Sequence, residues 1–173
     1  MATARARSAP SRPSFCAAQE DPWSAERLSD FATADIVIHL AREVAKAKIC
    51  PAPDLRTSHS RLIETAAVAE QHRVVAEQVR RVLAAASWNA GDPLEAAADR
   101  LMVERARKLQ NYFTQPFFVA EPYTHRPGTY VRRDEALRTC RDILEGRHDD
   151  IPVKAFYFAG GIEEIRNRAA WAQ

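Results

Sequence analysis

A charged helical segment runs directly into an aromatic loop in the stretch RARKLQNYFTQPFFVAEPYT (residues 105–124). Pro116 and Pro122 prevent a helix from continuing through this stretch, because proline lacks the backbone donor and disfavours helical backbone just before it. Three rings, those of Phe117, Phe118 and Tyr123, therefore lie on a loop, although loops are usually polar. Two interpretations are open: the rings stack on a flat ligand, or they pack into the core beneath a turn. The loop taken alone favours core packing.

The composition of the whole chain is that of one ordinary domain. It has 173 residues, of which 46% are hydrophobic and 28% are charged, and a net charge of +2. Such a chain is long enough to bury a core, and its charge balance neither indicates nor excludes nucleic acid. The basic stretches at 105–108 and 131–133 are expected to be solvated faces, so no nucleic-acid partner is predicted. Three separated cysteines without a CxxC pair favour free thiols in a reducing compartment.

The N-terminal part of the chain differs from the rest. Residues 1–30 are predicted to form a disordered or non-homologous segment, and residues 31–173 one helical domain. The first 14 residues are rich in Arg, Ser, Ala and Pro and contain no acid, as organelle transit peptides do. A disordered basic start or a misplaced start codon also accounts for this composition. No apolar run approaches the roughly 20 residues of a membrane span, so any link to a membrane is expected to run through partners.

From residue 31 onward the apolar residues recur with helical spacing. Helices are predicted from Phe31 to Pro51, from about Arg61 to LAAAS (residues 83–87), from an N-cap at Asp92, from Asp134 to Gly146, and near the C-terminus. The predicted inward faces are Val37, Leu40, Ala41 and Val44; Val75, Val79, Val82 and Leu83; Leu94, Ala98, Leu101, Met102 and Leu109; Leu137, Cys140, Ile143 and Leu144; Ile162, Ile165 and Ala169. The predicted fold is mostly α, a small helical bundle.

Catalytic and metal-binding motifs are not found in the sequence. The five histidines show neither HxxxH nor HExxH, so no metal site is predicted and each histidine is expected at the surface or at a cap. No GxSxG is present, and the acidic pairs at 149–150 and 163–164 are expected to be solvated or aligned with a helix dipole. None of the five glycines belongs to a GxxxxGK[ST] loop, which cradles phosphates with backbone N–H groups. No catalytic residue is therefore predicted.

Several motifs in one order resemble a known family. RARKLQNYFTQPFFVAEPYT is similar to the RARKIQ helix and SQPFxVAExFTG loop of the C-terminal domain of the catalytic beta subunit of F-type ATP synthases. GTYV, ILEGRHDDIP and AFYFAGGIEE resemble that family's GKYV, ILxGEYDxLP and AFYMVGxIEE. Upstream, FATADIVIHLAR and ICPAPDLRTSHSR resemble FAHLDATxVLSR and IYPAVDPLxSTSR. The resemblance covers roughly residues 31–170.

The resemblance implies a role for the aromatic loop. In this family the QPFxVAExF loop forms part of the adenine pocket, and the matching positions are Phe117, Ala120 and Tyr123. Tyr123 stands where the family usually has Phe, a change that keeps the ring. Stacking on a base is worth about 1–3 kcal/mol and needs no hydrogen-bond readout. The P-loop, the Mg-binding acid and the catalytic glutamate belong to a central domain that this chain lacks, so ATP or ADP with Mg is expected only in a complete complex.

The resemblance also implies a stalk contact. The family's helical hairpin carries an acidic DELSEED-type turn against the rotating central stalk, and the matching stretch here is WNAGDPLEAAAD (residues 88–99). Its remaining candidate contacts are Asp92, Leu94, Glu95 and Asp99. These acids are equally well explained as caps and solubilising residues of the helix that follows.

The implied partners are the alpha subunit, the central-stalk gamma subunit and a separate N-terminal beta chain. The implied location is a peripheral complex at the cytoplasmic face of the plasma membrane, or alternatively in the mitochondrial matrix. Two other interpretations remain: a non-enzymatic helical module that binds ATP synthase subunits, and a remnant without function.

Overall fold

The computed structural model describes residues 35–47, 49, 52–55, 57–84 and 99–171, all of them in one unit, Thr33–Gln173. The described part is mostly α-helical, as predicted. Its α-helices are α1 (Arg42–Lys46), α2 (Glu70–Ala84), α3 (Arg100–Tyr112), α4 (Glu121–Thr124), α5 (Arg133–Leu144) and α6 (Ile162–Trp171). Short 3-10 helices span Arg61–Glu64, Phe118–Ala120 and Val153–Phe156. None of the helices in these ranges has the length and apolarity needed to cross a bilayer.

The first predicted helix is wrong over most of the residues that the structure describes between 31 and 51. Strand β1 (Ile36–Val37) pairs antiparallel with strand β2 (His59–Ser60), with Ile36 opposite Ser60. β-branched residues such as those at 36–38 favour extended backbone, and this preference prevails once a second strand supplies hydrogen-bond partners. Among the described residues of this region the helix is reduced to α1, in which Val44 is fully buried. Leu40 lies before α1, in an isolated antiparallel bridge with Pro53, and is 45% exposed.

The second predicted helix begins later than expected. After the 3-10 helix Arg61–Glu64 the backbone becomes extended at Thr65, whose Oγ1 donates to the carbonyl of Leu62 at 2.7 Å. Threonine side chains that bond nearby carbonyls compete with helix continuation in this way. The predicted inward face of α2 is confirmed, since Val75, Val79 and Leu83 are buried.

Helix α3 is the central helix of the described core. It packs against α2, α5 and the 3-10 helix Val153–Phe156. Its buried apolar residues recur at helical spacing and include Val103, Ala106, Leu109 and Tyr112. The prediction that Leu101 and Met102 also face inward is wrong, because they are 43% and 41% exposed in the first turn, before the buried face begins.

The last two helices place their apolar faces as predicted. Cys140 and Ile143 of α5 and Ile165 and Ala169 of α6 are buried in the same hydrophobic cluster as Leu109. Burial raises the pKa of the Cys140 thiol to about 12, so this cysteine stays protonated and unreactive. Helix α5 begins one residue earlier than predicted, at Arg133.

A buried cationic corner replaces the solvated face predicted for residues 105–108. Lys108 is only 1% exposed, and its Nζ donates to the carbonyl oxygens of His148 and Asp149 at 3.0 and 3.1 Å. Arg105 pairs with Asp149 through both Nε and Nη2, at 3.0 and 2.5 Å, and this hydrogen bond lowers the pKa of the Asp149 carboxyl. Gly146, at φ +82°, turns the chain after α5 so that the following carbonyls meet these cations.

His148 lies inside this corner and not at the surface or at a cap, as had been predicted. It is 2% exposed, and its Nε2 has no hydrogen-bond partner within the described residues. Burial is the main cause that lowers the pKa of His148, and the positive charge of Arg166 adds to it. Asp142 and Asp150 act in the opposite direction but do not outweigh these effects.

Acidification is expected to destabilise the fold through His148. Its folded pKa lies below the ordinary value of 6.5, so the unfolded chain takes up a proton first as the pH falls. The free energy of unfolding therefore decreases as the pH falls through 6.5 towards the lower folded pKa of His148. Urea denaturation at several pH values measures the slope, and His148→Gln is expected to flatten it in this window. The carboxyl of Asp149 loses its stabilising charge only at lower pH, so an unchanged slope in His148→Gln would contradict this assignment.

Candidate functional site

The aromatic loop is a fixed structure. Its root at Thr114 is fully buried, and Thr114 Oγ1 accepts a hydrogen bond from the backbone N–H of Phe158 at 2.8 Å. The backbone N–H of Thr129 donates to the carbonyl of Pro116 at 3.0 Å, and that of Gly128 donates to Glu121 Oε1 at 2.6 Å. These bonds close the loop at both ends.

Gly128 also determines how closely the loop can fold. A Cβ built at this position would stand 2.5 Å from atoms of Phe118, closer than two carbon atoms can approach. The absence of a side chain at Gly128 thus lets the 3-10 helix Phe118–Ala120 lie directly against the returning chain. Pro122 is tolerated because it stands in the first turn of α4, where its missing N–H has no helical partner to lose.

The apolar side chains of this loop point away from the core. Phe117 is 44% exposed, Phe118 is 63% exposed and Val119 is 80% exposed. Core packing, the interpretation favoured by the loop sequence alone, is therefore wrong for Phe117 and Phe118. The backbones of Ala120 and Tyr123 lie in the 3-10 helix and in α4, whereas their side chains lie outside the described part of the structure. The side chains of Phe117, Phe118 and Val119 form an exposed apolar ridge on this hydrogen-bonded support, and it is called the ridge Phe117–Val119.

Of the candidate stalk residues, the structure describes Asp99. It is the N-cap of α3, and its Oδ1 accepts a hydrogen bond from the backbone N–H of Leu101 at 3.0 Å. Such caps stabilise a helix by about 1 kcal/mol. Asp99 therefore caps a helix, which is the role that the sequence offered as the alternative to a stalk contact. Asp92, Leu94 and Glu95 lie outside the described residues, as does the predicted helix start at Asp92.

A cavity of about 580 Å³ opens beside the aromatic loop. Its lining comes from four separate segments and includes Pro116, Arg126, Lys154, Tyr157, Phe158 and Arg168. Sequence reasoning missed it because these residues share no local motif, and only the fold brings them together. What these residues share is their type: most are cations or aromatic rings, and sequence reasoning had assigned none of these cations and rings a role at a site.

A second cavity, of about 380 Å³, lies between β1, α2 and α5. Its lining is mainly apolar and reaches the buried Val75, Val79 and Cys140. Titratable side chains, among them His59, His72, Arg80 and Arg133, also line it. Across the described residues, no group of three or more His, Cys, Asp or Glu side chains is placed to hold a metal ion.

The chemistry available at the loop is binding by apolar and aromatic contact. A ring that stays exposed on a rigid support can stack on a planar ligand without first reorganising the loop. No protein-family model matches the chain.

Proposed function

We propose that this chain is the C-terminal part of a divergent F-type ATP synthase beta subunit. In this role it contributes an adenine-pocket wall and a central-stalk contact to proton-driven rotary ATP synthesis and hydrolysis, and it has no catalytic activity alone. The observation that carries the proposal is the exposed ridge Phe117–Val119 on its hydrogen-bonded loop. The family-like sequence motifs, which follow one another in the family's order between residues 31 and 170, support the same assignment.

The proposed division of labour follows from what each part can bind. Phe117, with Ala120 and Tyr123, forms the face on which adenine stacks. The phosphates and Mg are held by a P-loop domain on another chain, since stacking alone supplies only about 1–3 kcal/mol per base. ATP or ADP with Mg is thus a ligand of the complete complex.

The proposed partners are the alpha subunit, the gamma subunit of the central stalk and a chain that carries the P-loop. Because the carboxylate of Asp99 caps α3, stalk contact depends mainly on Asp92, Leu94 and Glu95. The chain reaches the membrane only through this complex, at the cytoplasmic face of the plasma membrane or in the mitochondrial matrix.

Removing the rings is expected to weaken nucleotide binding in a reconstituted complex. The chain is combined with alpha, gamma and a P-loop-bearing N-terminal beta chain, and binding of a fluorescent ATP analogue is titrated. Phe117→Ala and Tyr123→Ala are each expected to weaken the affinity by roughly 5- to 150-fold, the equivalent of about 1–3 kcal/mol of stacking. Tyr130→Ala is the matched control, because Tyr130 is an exposed ring outside the loop. Affinity equal to that of the control would refute an adenine role for the loop.

A second candidate is a helical interaction module that binds ATP synthase subunits without nucleotide. The exposure of Val119, at 80%, favours it, because an aliphatic side chain contributes to a protein interface but does not stack as a ring does. Association with intact subunits that is independent of nucleotide, and is lost in Val119→Asp but not in Phe117→Ala, would favour this candidate over the first.

A further inference from the structure

The cavity beside the aromatic loop has an excess of positive charge. Three cations line it, Arg126, Lys154 and Arg168, and one acid, Glu164. Both oxygens of Glu164 are engaged: Oε1 pairs with Arg168, and Oε2 accepts the backbone N–H of Gly160 at 2.9 Å. Glu164 therefore neutralises the charge of Arg168, and the charges of Arg126 and Lys154 remain as the excess.

Arg168 is held in place before any ligand arrives. Its Nη1 donates to the carbonyl of Tyr157 and its Nη2 to the carbonyl of Phe158, both at 2.9 Å. With Glu164 these acceptors use three of its five N–H donors, and within the described residues the other two have no partner. A guanidinium fixed in this way loses little conformational freedom when it binds an anion.

Arg126 and Lys154 line the cavity and are exposed to solvent. In the described ranges neither forms an ion pair with an acidic group, and Arg126 lies over the ring of Phe158, 5.8 Å from its centroid. The rings of Tyr157 and Phe158 meet edge to face, with centroids 4.9 Å apart. The lining thus combines cations that lack acidic partners with an aromatic wall.

The backbone at this wall is unusual. Phe158 has φ +50°, a left-handed conformation that bulky residues rarely adopt. It is kept there by Thr114 Oγ1, which accepts its N–H, and by Arg168, which donates to its carbonyl. Residues held in such conformations occur preferentially at ligand sites.

We infer that this cavity binds a small organic phosphate monoester that carries an aromatic group. The phosphate would accept hydrogen bonds from Arg126, Lys154 and the remaining donors of Arg168, and the aromatic group would lie against Tyr157 and Phe158. The volume of about 580 Å³ is typical of small-molecule sites and is larger than an inorganic ion needs. This site is separate from the adenine wall at Phe117 and does not depend on the function proposed above.

Phenyl phosphate is the probe for this site. Titrated into the ¹⁵N-labelled full chain at low salt, it is expected to cause saturable shifts at the amides of Thr129, Phe158 and Gly160. Methyl phosphate, which lacks the ring, and benzoate, which lacks the phosphate, are expected to bind more weakly. Inorganic phosphate is expected to bind more weakly than phenyl phosphate as well.

Matched double variants test the role of the cations. Arg126→Ala with Lys154→Ala is expected to weaken phenyl phosphate binding by at least about tenfold, because charge-assisted hydrogen bonds to phosphate are among the stronger ones. Lys46→Ala with Arg166→Ala removes the same charges from exposed positions outside the cavity and is expected to leave the affinity unchanged. The proposal is overturned if these amides show no saturable shift, if both double variants bind alike, or if methyl phosphate or benzoate binds as tightly as phenyl phosphate. Because this assay uses this chain alone, without any other subunit, its outcome is independent of the reconstitution experiment.

Discussion

Lys108→Ala is expected to lower the free energy of unfolding by about 3 kcal/mol, a large share of the stability of a small domain. The Lys108 side chain is 1% exposed and supplies hydrogen bonds to the carbonyls of His148 and Asp149. Truncation leaves both carbonyls without this donor and opens a cavity where the alkyl stem was packed. The lost hydrogen bonds and the lost packing both belong to the contact between α3 and the turn after α5.

Urea denaturation followed by circular dichroism measures this loss. Lys46→Ala is the matched control, because Lys46 is exposed on α1, and its effect is expected to stay within about 0.5 kcal/mol. Lys108→Met keeps most of the stem but removes the donor, so it separates the hydrogen bonds from the packing. If Lys108→Ala costs no more than Lys46→Ala, the buried position of Lys108 is refuted.

Gly146→Ala is expected to destabilise the fold by about 3 kcal/mol, of which about 1–2 kcal/mol comes from a left-handed backbone that carries a Cβ. Gly146 has φ +82°, and an added Cβ would stand 2.1 Å from Arg105 Nη2 and 2.7 Å from Asp149 Oδ2. The guanidinium cannot move aside without giving up its paired contacts with Asp149. The remainder of the loss is therefore the disruption of this ion pair.

A double-mutant cycle separates the two parts. In the Arg105→Ala background the clash with the guanidinium is removed, and the Asp149 carboxylate, no longer held by Arg105, can turn away from the added Cβ. Gly146→Ala is then expected to cost only the backbone part, about 1–2 kcal/mol. The same urea experiments measure all four chains of the cycle. Strict additivity of the two substitutions would show that Gly146 and Arg105 do not interact, contrary to the geometry found here.

The parts of the fold that were predictable from sequence are those governed by local periodicity. Val75, Val79 and Leu83 on α2, and Cys140 and Ile143 on α5, recur at helical spacing, and all are buried. The position of the aromatic loop was also predictable, because prolines restrict the backbone whatever surrounds them. The strand at Ile36–Val37 was not, since a strand depends on a partner, here at His59–Ser60, beyond the reach of a local pattern.

The sequence by itself determined that this chain is mostly helical, where its apolar helix faces lie, and that an aromatic loop follows α3. Only the tertiary structure decided which of the remaining side chains are exposed. Phe117 and Phe118 point outward because Gly128 and Glu121 hold the loop closed, whereas Lys108 is buried because the turn after α5 returns to α3. Residue type indicates the reverse in both cases. Burial depends on contacts between segments distant in sequence, and the cavity lined by Arg126, Lys154 and Arg168 exists for the same reason.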